Sequence, residues 1–254
     1  MPIPPSAAVP ALVTLDVWGV ARRDVPAALA RMALDRPALR RTRGLGFAKL
    51  MGTGSGKTFT LADSDLRHWA LLTTWGDPAD RARFDTSPLV AGWHRRAEEH
   101  WRADLEPVAA KGRWSGREPF GDPAPHRDRR AGPVAALTRA RLVPRRAASF
   151  WRAVPPVSAE LRTAAGLRFA MGIGEAPLGL QGTFSVWDDA ADLRAFAYAS
   201  PAHQQAISDT GRLGWYAEEL FARFRVLTAS GTYQGRDPLA PASSSGTDAR
   251  RAAG

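Results

Sequence analysis

The 254-residue sequence contains no cysteine. Without a thiol the chain cannot form disulfides, iron–sulfur clusters or cysteine zinc sites, and it has no cysteine nucleophile and no thiolate to ligate haem. Covalent haem attachment through a C-x-x-C-H motif is excluded for the same reason. Any metal must rest on carboxylates, Tyr, Met or the five histidines, which are His68, His94, His100, His126 and His203.

Long apolar runs are also absent. No stretch approaches the roughly 20 apolar residues that a bilayer-spanning helix needs. The first ten residues, MPIPPSAAVP, lack the basic flank and apolar core of a signal peptide. We therefore expect a cytoplasmic protein with no membrane span, and the 44% apolar content is enough to bury a substantial core.

The formal charge of +10 raises the question of nucleic acid or an anionic membrane as a partner. The arginines, however, are scattered through predicted helices and through residues 125–146, and they form no single stripe with interleaved aromatic residues. We therefore expect no nucleic-acid partner and interpret the basic residues as solvated surface.

A repeat is visible in the sequence. The segment LRRTRGLGFA at 39–48 is answered by LRTAAGLRFA at 161–170, and later matches follow in the same order. The later matching residues are Trp75 with Trp187, Ser87 and Pro88 with Ser200 and Pro201, and Gly112, Trp114, Gly116, Arg117 and Pro119 with Gly231, Tyr233, Gly235, Arg236 and Pro238. Self-similarity in a fixed order predicts two copies of one structural unit.

Hydrophobic periodicity predicts the order strand, helix, strand, strand, helix, strand in each copy. Alternation is clearest at Leu167, Phe169, Met171 and Ile173, which share one face of a strand. The predicted strands are 11–17, 44–51, 68–75 and 108–114, then 133–142, 166–174, 181–187 and 225–233. The predicted helices begin at 24, cover 77–104, lie briefly near 147 and form a pair over 188–224.

These elements predict an α+β fold. A four-stranded antiparallel sheet with both helices on one side leaves its other side uncovered, and a second copy can cover it. We therefore predict two fused ferredoxin-like βαββαβ repeats that pack sheet to sheet, as a dimeric α+β barrel-like unit around one ligand pocket. The expected boundaries are a first repeat at 1–120, a linker at 121–130, a second repeat at 131–239 and a disordered tail at 240–254.

Four candidate motifs lack the residues or spacing that their chemistry requires. The string MGTGSGKT at 51–58 resembles a phosphate-binding loop, but Met51 stands where the first glycine belongs and a strand follows instead of a helix. We expect a hairpin loop there and no nucleotide binding. No serine lies in a G-x-S-x-G frame, and the kinase-like triplet at 126–128 stands alone. His94 and His100, six apart on a predicted helix, would lie on different faces and form no metal pair.

His203 has a more informative context. Ser200 is a good helix N-cap and Pro201 fits the first helical position, so His203 falls in the first turn of a helix. The equivalent residue of the first copy is Val90. Such a difference would arise if one half kept a ligand that the other half lost, although a structural role for a first-turn histidine remains open.

Five segments of the sequence are distinctive, and they are LRRTRG at 39–44, GRWSGR at 112–117, GIGEAPLGLQG at 172–182, FAYASPAH at 196–203 and TGRLGWYAEELFARF at 210–224. In these segments, and from about Leu12 to Leu239 as a whole, the sequence resembles the spheroidene monooxygenase family of carotenoid-pathway oxygenases. The resemblance implies a haem protein that uses dioxygen and external electrons to hydroxylate or oxidise an unactivated carbon. Barrels of this kind also include dye-decolourising peroxidases, chlorite dismutases and aldoxime dehydratases.

The resemblance further implies haem b with His203 as its axial ligand, in the second repeat. Phe169, Met171 and Phe184 could line the haem pocket or could be plain core. The implied partners are a small organic or isoprenoid substrate, dioxygen and an external donor such as a reduced ferredoxin-like protein, and a homo-oligomer is compatible with this picture. A peroxidase, a dehydratase, a nitrogen-oxidising enzyme and a non-catalytic haem- or ligand-binding barrel remain alternatives.

Overall fold

The computed structural model describes residues 8–54, 63–124, 132–175, 182–199 and 201–240. Most of the predicted linker and the predicted tail from residue 241 lie outside these ranges. The strands are β1 (Leu12–Val20), β2 (Leu45–Gly54), β3 (Ser64–Trp75), β4 (Ala97–Gly112), β5 (Val134–Leu142), β6 (Leu167–Gly174), β7 (Gly182–Trp187) and β8 (Tyr216–Gly231). The helices are α1 (Val25–Leu34), α2 (Arg36–Arg41), α3 (Pro78–Asp85), α4 (Pro88–His94), α5 (Ala147–Arg162), α6 (Ala190–Ala199) and α7 (Pro201–Leu213).

The eight strands form one closed antiparallel barrel in the order β1-β3-β2-β6-β7-β5-β8-β4. The first half of the chain supplies β4-β1-β3-β2 and the second half supplies β8-β5-β7-β6, so the two halves have the same strand order. Pairing of β4 with β8 and of β2 with β6 joins the halves and closes the barrel. The predicted α+β class is confirmed.

The barrel interior is filled by side chains. Inward residues alternate along the strands, and Trp101 at the centre contacts Phe169 and Phe184 with ring centroids 5.4 and 6.3 Å apart. The buried residues of the barrel interior include Val13, Leu15, Val17, Phe47, Met51, Leu72, Leu105, Leu137, Met171, Ile173, Val186 and Phe224. The sequence predicted a ligand pocket between the two sheets, but the described interior is a packed core.

Two helical layers lie outside the barrel. Helices α1 to α4 cover the first sheet, and four fully buried tryptophans occupy that layer, with Trp18 and Trp93 stacked at 5.3 Å. Helices α5 to α7 cover the second sheet. None of the helices in the described ranges is long and apolar enough to cross a bilayer.

The structure corrects two predicted helices. The sequence predicted helix through 77–104, but α4 ends at His94 and β4 begins at Ala97. The same error recurs in the second half, where α7 ends at Leu213 and β8 begins at Tyr216 although helix was predicted to 224. Both segments become strand because β4 and β8 pair along most of their length, which buries every second residue of each.

Two further predictions concern loops and the second-half helices. Helix α5 has 16 residues and is longer than the short helix predicted near 147. The phosphate-loop-like string begins in β2, which pairs antiparallel with β3, and its residues 55–58 lie outside the described ranges. The kinase-like triplet at 126–128 also lies outside them.

Candidate functional site

The two helix–sheet layers differ in the size of the side chains that the sheets present to the helices. In the first half the strands turn Trp18, Leu50 and Leu71 outward, and all three are buried under the helices. The strand ladders align β1, β2 and β3 with β5, β6 and β7, because Leu12 pairs with Trp75 as Val134 pairs with Trp187. This alignment places much smaller residues at the same three positions of the second half, and they are Ala140, Gly172 and Thr183.

We call this helix-facing side of the second sheet the small-residue face. Its small residues are Ala136, Thr138, Ala140, Ala170, Gly172, Gly174, Thr183 and Ser185, and at one end it also carries Val134, Leu167 and Trp187. Fourteen residues form the buried cluster of the first helix–sheet layer, whereas among described residues the second layer has three, Leu161, Trp187 and Leu193. A sheet surface of backbone and small side chains beneath helices can accommodate a flat apolar group, which the tryptophans of the first layer would exclude.

Helix α6 lies directly on this sheet, since it contacts β5 and β7 and its Phe196 ring lies 5.3 Å from Trp187. Helices α5 and α7 pack against each other, and α7 also packs on α6. Helix α7 begins at Pro201, as the sequence predicted, so His203 lies in its first turn. Ser200 and the side chain of His203 lie outside what the structure describes.

The equivalent position of the first half is well described. Helix α4 begins at Pro88, the Ser87 hydroxyl accepts a hydrogen bond from the Val90 amide at 3.3 Å, and Val90 is 1% exposed in the tryptophan-rich layer. In the first half this helical position therefore faces the sheet.

Phe169, Met171 and Phe184 lie on the other side of the second sheet. Met171 and Phe184 are fully buried in the barrel, and Phe169 is partly buried there against Trp101 and Tyr233. Neighbouring residues of a strand point to opposite sides, so these three lie behind the small-residue face. The structure does not bring them to the side on which α7 lies.

A charged cluster closes one end of the barrel. Glu175 accepts hydrogen bonds from Lys49 Nζ at 2.5 Å, Trp114 Nε1 at 2.7 Å and Arg139 Nη2 at 2.7 Å. Burial opposes ionisation of Glu175, but the hydrogen bonds from Lys49 and Trp114 outweigh it and lower its pKa. Arg139 also pairs with Glu218. The cluster pairs opposite charges and ties β2 to the second half.

A histidine closes the opposite end. His68 Nδ1 lies 2.6 Å from Asp65 Oδ2, its Nε2 lies 2.7 Å from Glu99 Oε1, and its ring centroid lies 4.8 Å from that of Tyr233. Burial lowers the pKa of His68, but hydrogen bonds to the two carboxylates outweigh burial and raise it. Burial raises the pKa of Tyr233. Both ring nitrogens of His68 are occupied, so it is not free to bind a metal.

His94 and His100 are closer than the sequence predicted. Their ring centroids lie 4.6 Å apart, because His94 ends α4 whereas His100 lies on β4. His100 Nε2 lies 2.9 Å from Asp16 Oδ1, and the buried Asp16 carboxylate also pairs with Arg81 and Arg102. Within the described part of the chain no group of three or more His, Asp or Glu residues is arranged to hold a metal ion.

The sequence did not predict that Glu175 and His68 each hold several charged or polar side chains together. Asp65 is three positions from His68, but the other partners are distant in the chain, since Lys49 and Glu175 are 126 positions apart and His68 and Glu99 are 31 apart. No spacing motif could have revealed these pairs. The small-residue face was visible only as a run of small residues in strands of the second copy.

Comparison with characterised proteins identifies close relatives. The chain is 39% identical over 223 residues to spheroidene monooxygenase of Rhodobacter capsulatus, a match that covers 85% of this chain and 90% of that protein. It is 39% identical over 194 residues to spheroidene monooxygenase of Rubrivivax gelatinosus, covering 76% of this chain and 73% of the relative. The enzyme of the same name from Cereibacter sphaeroides is 36% identical over 198 residues, covering 77% of this chain and 60% of that protein.

Solved structures with the same fold are far more distant in sequence. An aldoxime dehydratase in complex with butyraldoxime is 13% identical and superposes with a TM-score of 0.57, covering 85% of this chain and 79% of that one. A second aldoxime dehydratase is 14% identical with a TM-score of 0.55, covering 87% and 84%. These matches show a shared fold. No protein-family model matches the sequence.

Proposed function

Because the chain belongs to the spheroidene monooxygenase family and is an oxygenase, we propose that it is haem-dependent and acts on a long apolar isoprenoid of the carotenoid type. The substrate class follows from the name of the relatives, whose spheroidene is a carotenoid. The cofactor is haem b, held between the small-residue face and helices α5 to α7.

The small-residue face carries this proposal. A planar macrocycle needs a broad recess with apolar walls, and the exchange of Trp18, Leu50 and Leu71 for Ala140, Gly172 and Thr183 removes the side chains that would fill one on the second sheet. Water is excluded from the barrel side, where Phe169, Met171 and Phe184 pack against Trp101 and support the sheet from behind.

His203 is the proposed axial ligand. The first-half equivalent of this position, Val90, is buried against the sheet, and a ligand on α7 would need that orientation. Other described histidines are poorly placed: His68 is held by two carboxylates, and His94 and His100 lie in the first half beside Asp16. Bound haem would supply the site at which dioxygen is activated.

The reaction requires an external reductant. Monooxygenation places one oxygen atom in the substrate and reduces the other to water, which consumes two electrons and two protons. The chain has no cysteine and hence no iron–sulfur cluster of its own. A reduced ferredoxin-like protein in the cytoplasm is therefore the proposed donor, and the small-molecule substrate and dioxygen are the other partners.

We also propose that the halves are two copies of a ferredoxin-like unit, at 1–120 and 131–239, with a linker at 121–130 and a tail at 240–254. The shared strand order supports a duplication. So do the matching turns, since Ser115 and Gln234 both adopt a φ near +54° (54° and 53°) in the turns after β4 and β8.

The first experiment tests the ligand. His203→Ala should weaken haem binding and change the Soret band, and added imidazole should restore the wild-type ferrous carbon monoxide spectrum by occupying the vacated position. His94→Ala is the matched control and should leave the spectrum unchanged. A wild-type spectrum in His203→Ala without imidazole would show that another residue ligates the iron.

The second experiment tests the small-residue face. Ala140→Trp and Thr183→Leu copy the first-half residues Trp18 and Leu71, so each should lower haem affinity by filling the recess while circular dichroism shows a folded protein. Met171→Leu, on the barrel side of β6, conserves volume and should bind haem normally. Undiminished haem binding in both filled variants would place the cofactor elsewhere. Dioxygen consumption by the reduced protein with substrate then separates an oxygenase from a barrel that only binds haem.

A further inference from the structure

An exposed basic patch surrounds the junction of α1 and α2. Four exposed arginines, Arg36, Arg40, Arg41 and Arg43, lie within residues 36–43. Leu34, two positions before the first of them, is 72% exposed. Ala33, Pro37 and Ala38 between them are exposed as well. We call the four arginines, together with Ala33, Leu34, Pro37 and Ala38, the α2 arginine patch.

The positive charge of the patch is not neutralised nearby. None of the four guanidinium groups pairs with a residue that the structure describes. Asp35 lies within the patch sequence but is buried, where it accepts hydrogen bonds from Arg31 and from Trp93 Nε1 at 3.0 Å. Asp80, beside the following turn, pairs with Arg83. The next acidic residue along the chain is Asp63.

The turn that follows α2 does not require Arg41 or Arg43. The turn that follows α2 passes through Gly44 at φ 74°, and its counterpart in the second half passes through Gly166 at φ 71°. A Cβ at either glycine would lie 2.1 Å from an aspartate oxygen, of Asp80 or Asp192, so the two turns share one shape.

The second copy builds that turn from different residues. Thr163, Ala164 and Ala165 stand where the first copy has Arg41, Thr42 and Arg43. Threonine and alanine therefore suffice to form the turn. Arg41 and Arg43 are therefore not needed for the shape of the turn and are available to a partner.

We propose that the α2 arginine patch docks the protein on an anionic lipid bilayer surface, with Leu34 inserted into the interface. Guanidinium groups attract acidic headgroups, and a protruding aliphatic side chain among them gains by entering the acyl boundary. An acidic protein would use the arginines but would leave Leu34 unexplained. The patch lies on the side of the barrel where α2 packs on β2, the strand that pairs with β6 of the second half.

This proposal stands independently of the haem site and is tested on the full chain without added cofactor. The probe is co-sedimentation with vesicles of phosphatidylcholine and phosphatidylglycerol in equal parts, compared with phosphatidylcholine alone. Wild-type protein should bind the anionic vesicles, bind neutral ones weakly, and dissociate as salt rises. Each arginine near an anionic surface contributes about fivefold to partitioning.

The test variant copies the second half at two positions, Arg41→Thr together with Arg43→Ala. It should lower partitioning to anionic vesicles about 25-fold, and Leu34→Ser should lower it on its own without changing the salt dependence. The matched control, Arg141→Thr with Arg223→Ala, removes two other exposed arginines and should have little effect.

Equal loss in the test and control variants would overturn the proposal, since binding would then follow net charge alone. Absence of anionic-vesicle binding by the wild-type chain would also overturn it. Patch-dependent binding to an acidic ferredoxin or to RNA, without vesicle binding, would assign the patch to a protein or nucleic-acid partner instead. A change in melting temperature in the test variant would show that the arginines serve the fold.

Discussion

His68→Gln is expected to destabilise the protein most at acidic to neutral pH. In the wild type the His68 imidazolium donates hydrogen bonds to Asp65 at 2.6 Å and to Glu99 at 2.7 Å, and its side chain is 9% exposed. Glutamine lacks the positive charge and cannot donate to both carboxylates from one position. The substitution leaves two nearby carboxylates without the cation between them.

The magnitude follows from what the carboxylates retain. Asp65 still accepts from the Arg67 amide at 2.9 Å, and Glu99 still accepts from the amides of Gln234 and Gly235 at 3.0 Å each. Because these bonds remain, the cost lies near the lower end of the range for breaking a buried ion pair, about 3 kcal/mol. In a protein of this size that corresponds to a fall of roughly 6–12 °C in Tm.

The pH dependence has a definite sign. The folded pKa of His68 is raised above its ordinary value, so its stabilisation is fully present below about pH 6.5 and is lost as pH rises through the folded pKa. Other groups facing the imidazole are Tyr233, whose pKa is raised, and Asp65 and Glu99, whose pKa values are lowered, so none of them titrates in that window.

The assay is thermal unfolding followed by circular dichroism, from below about pH 6.5 to above the folded pKa of His68. The Tm difference between wild type and His68→Gln should be largest at low pH and should shrink towards alkaline pH. His94→Gln is the control, because burial lowers the pKa of His94 and its imidazole has no carboxylate partner of this kind. Parallel Tm curves for wild type and His68→Gln would refute the assignment of a buried imidazolium.

Two further predictions concern other buried groups. Lys49→Met copies the residue at the equivalent position of the second half and removes a partner that lies 2.5 Å from Glu175. The free energy of unfolding, measured in urea, should therefore fall by about 3 kcal/mol. The control Lys111→Met changes an exposed lysine and should have little effect. Trp18→Ala empties the centre of the first helical layer and should cost about 3–5 kcal/mol in the same assay without altering haem binding, whereas a loss of haem would place the cofactor in the first half.

Much of the architecture is predictable because its signals are local. The α+β class and the start of α7 at Pro201 depend on short segments read in order, and both are found in the structure; the two halves also share one strand order, which supports the proposed repeat. The strands at 97–104 and 216–224 were missed in both copies. Their charged outward residues hid the alternation, and β4 and β8 are stabilised by each other across a separation that no local window includes.

The candidate site could be predicted only in part, because it combines residues that are distant in the sequence. The position of His203 follows from neighbouring residues in sequence, whereas the recess depends on which residues of three strands face α5 to α7. That comparison needs the ladder alignment, which sets Ala140 against Trp18 and Gly172 against Leu50. The basic residues interpreted as solvated surface include the exposed arginines of the α2 arginine patch, and a partner for that patch is a proposal.

Each half of the chain closes an end of the barrel that belongs to the other half. Trp114, which follows β4, donates to Glu175 at the end of β6, and Tyr233, which follows β8, hydrogen-bonds Thr53 on β2. These aromatic residues occupy equivalent positions of the two halves, as do their partners.

The turns that carry these two aromatic residues also hydrogen-bond to the other half of the chain. Glu218 on β8 accepts from the amides of Ser115 and Gly116 at 2.9 and 2.7 Å, and Glu99 on β4 accepts from the equivalent amides of the second half. Neither half has a complete core without the other, so the stability of the barrel is shared. Because both halves complete the barrel, its core does not depend on the helix-facing side chains of the second half alone. The second half can therefore carry Ala140, Gly172 and Thr183 where the first half buries Trp18, Leu50 and Leu71.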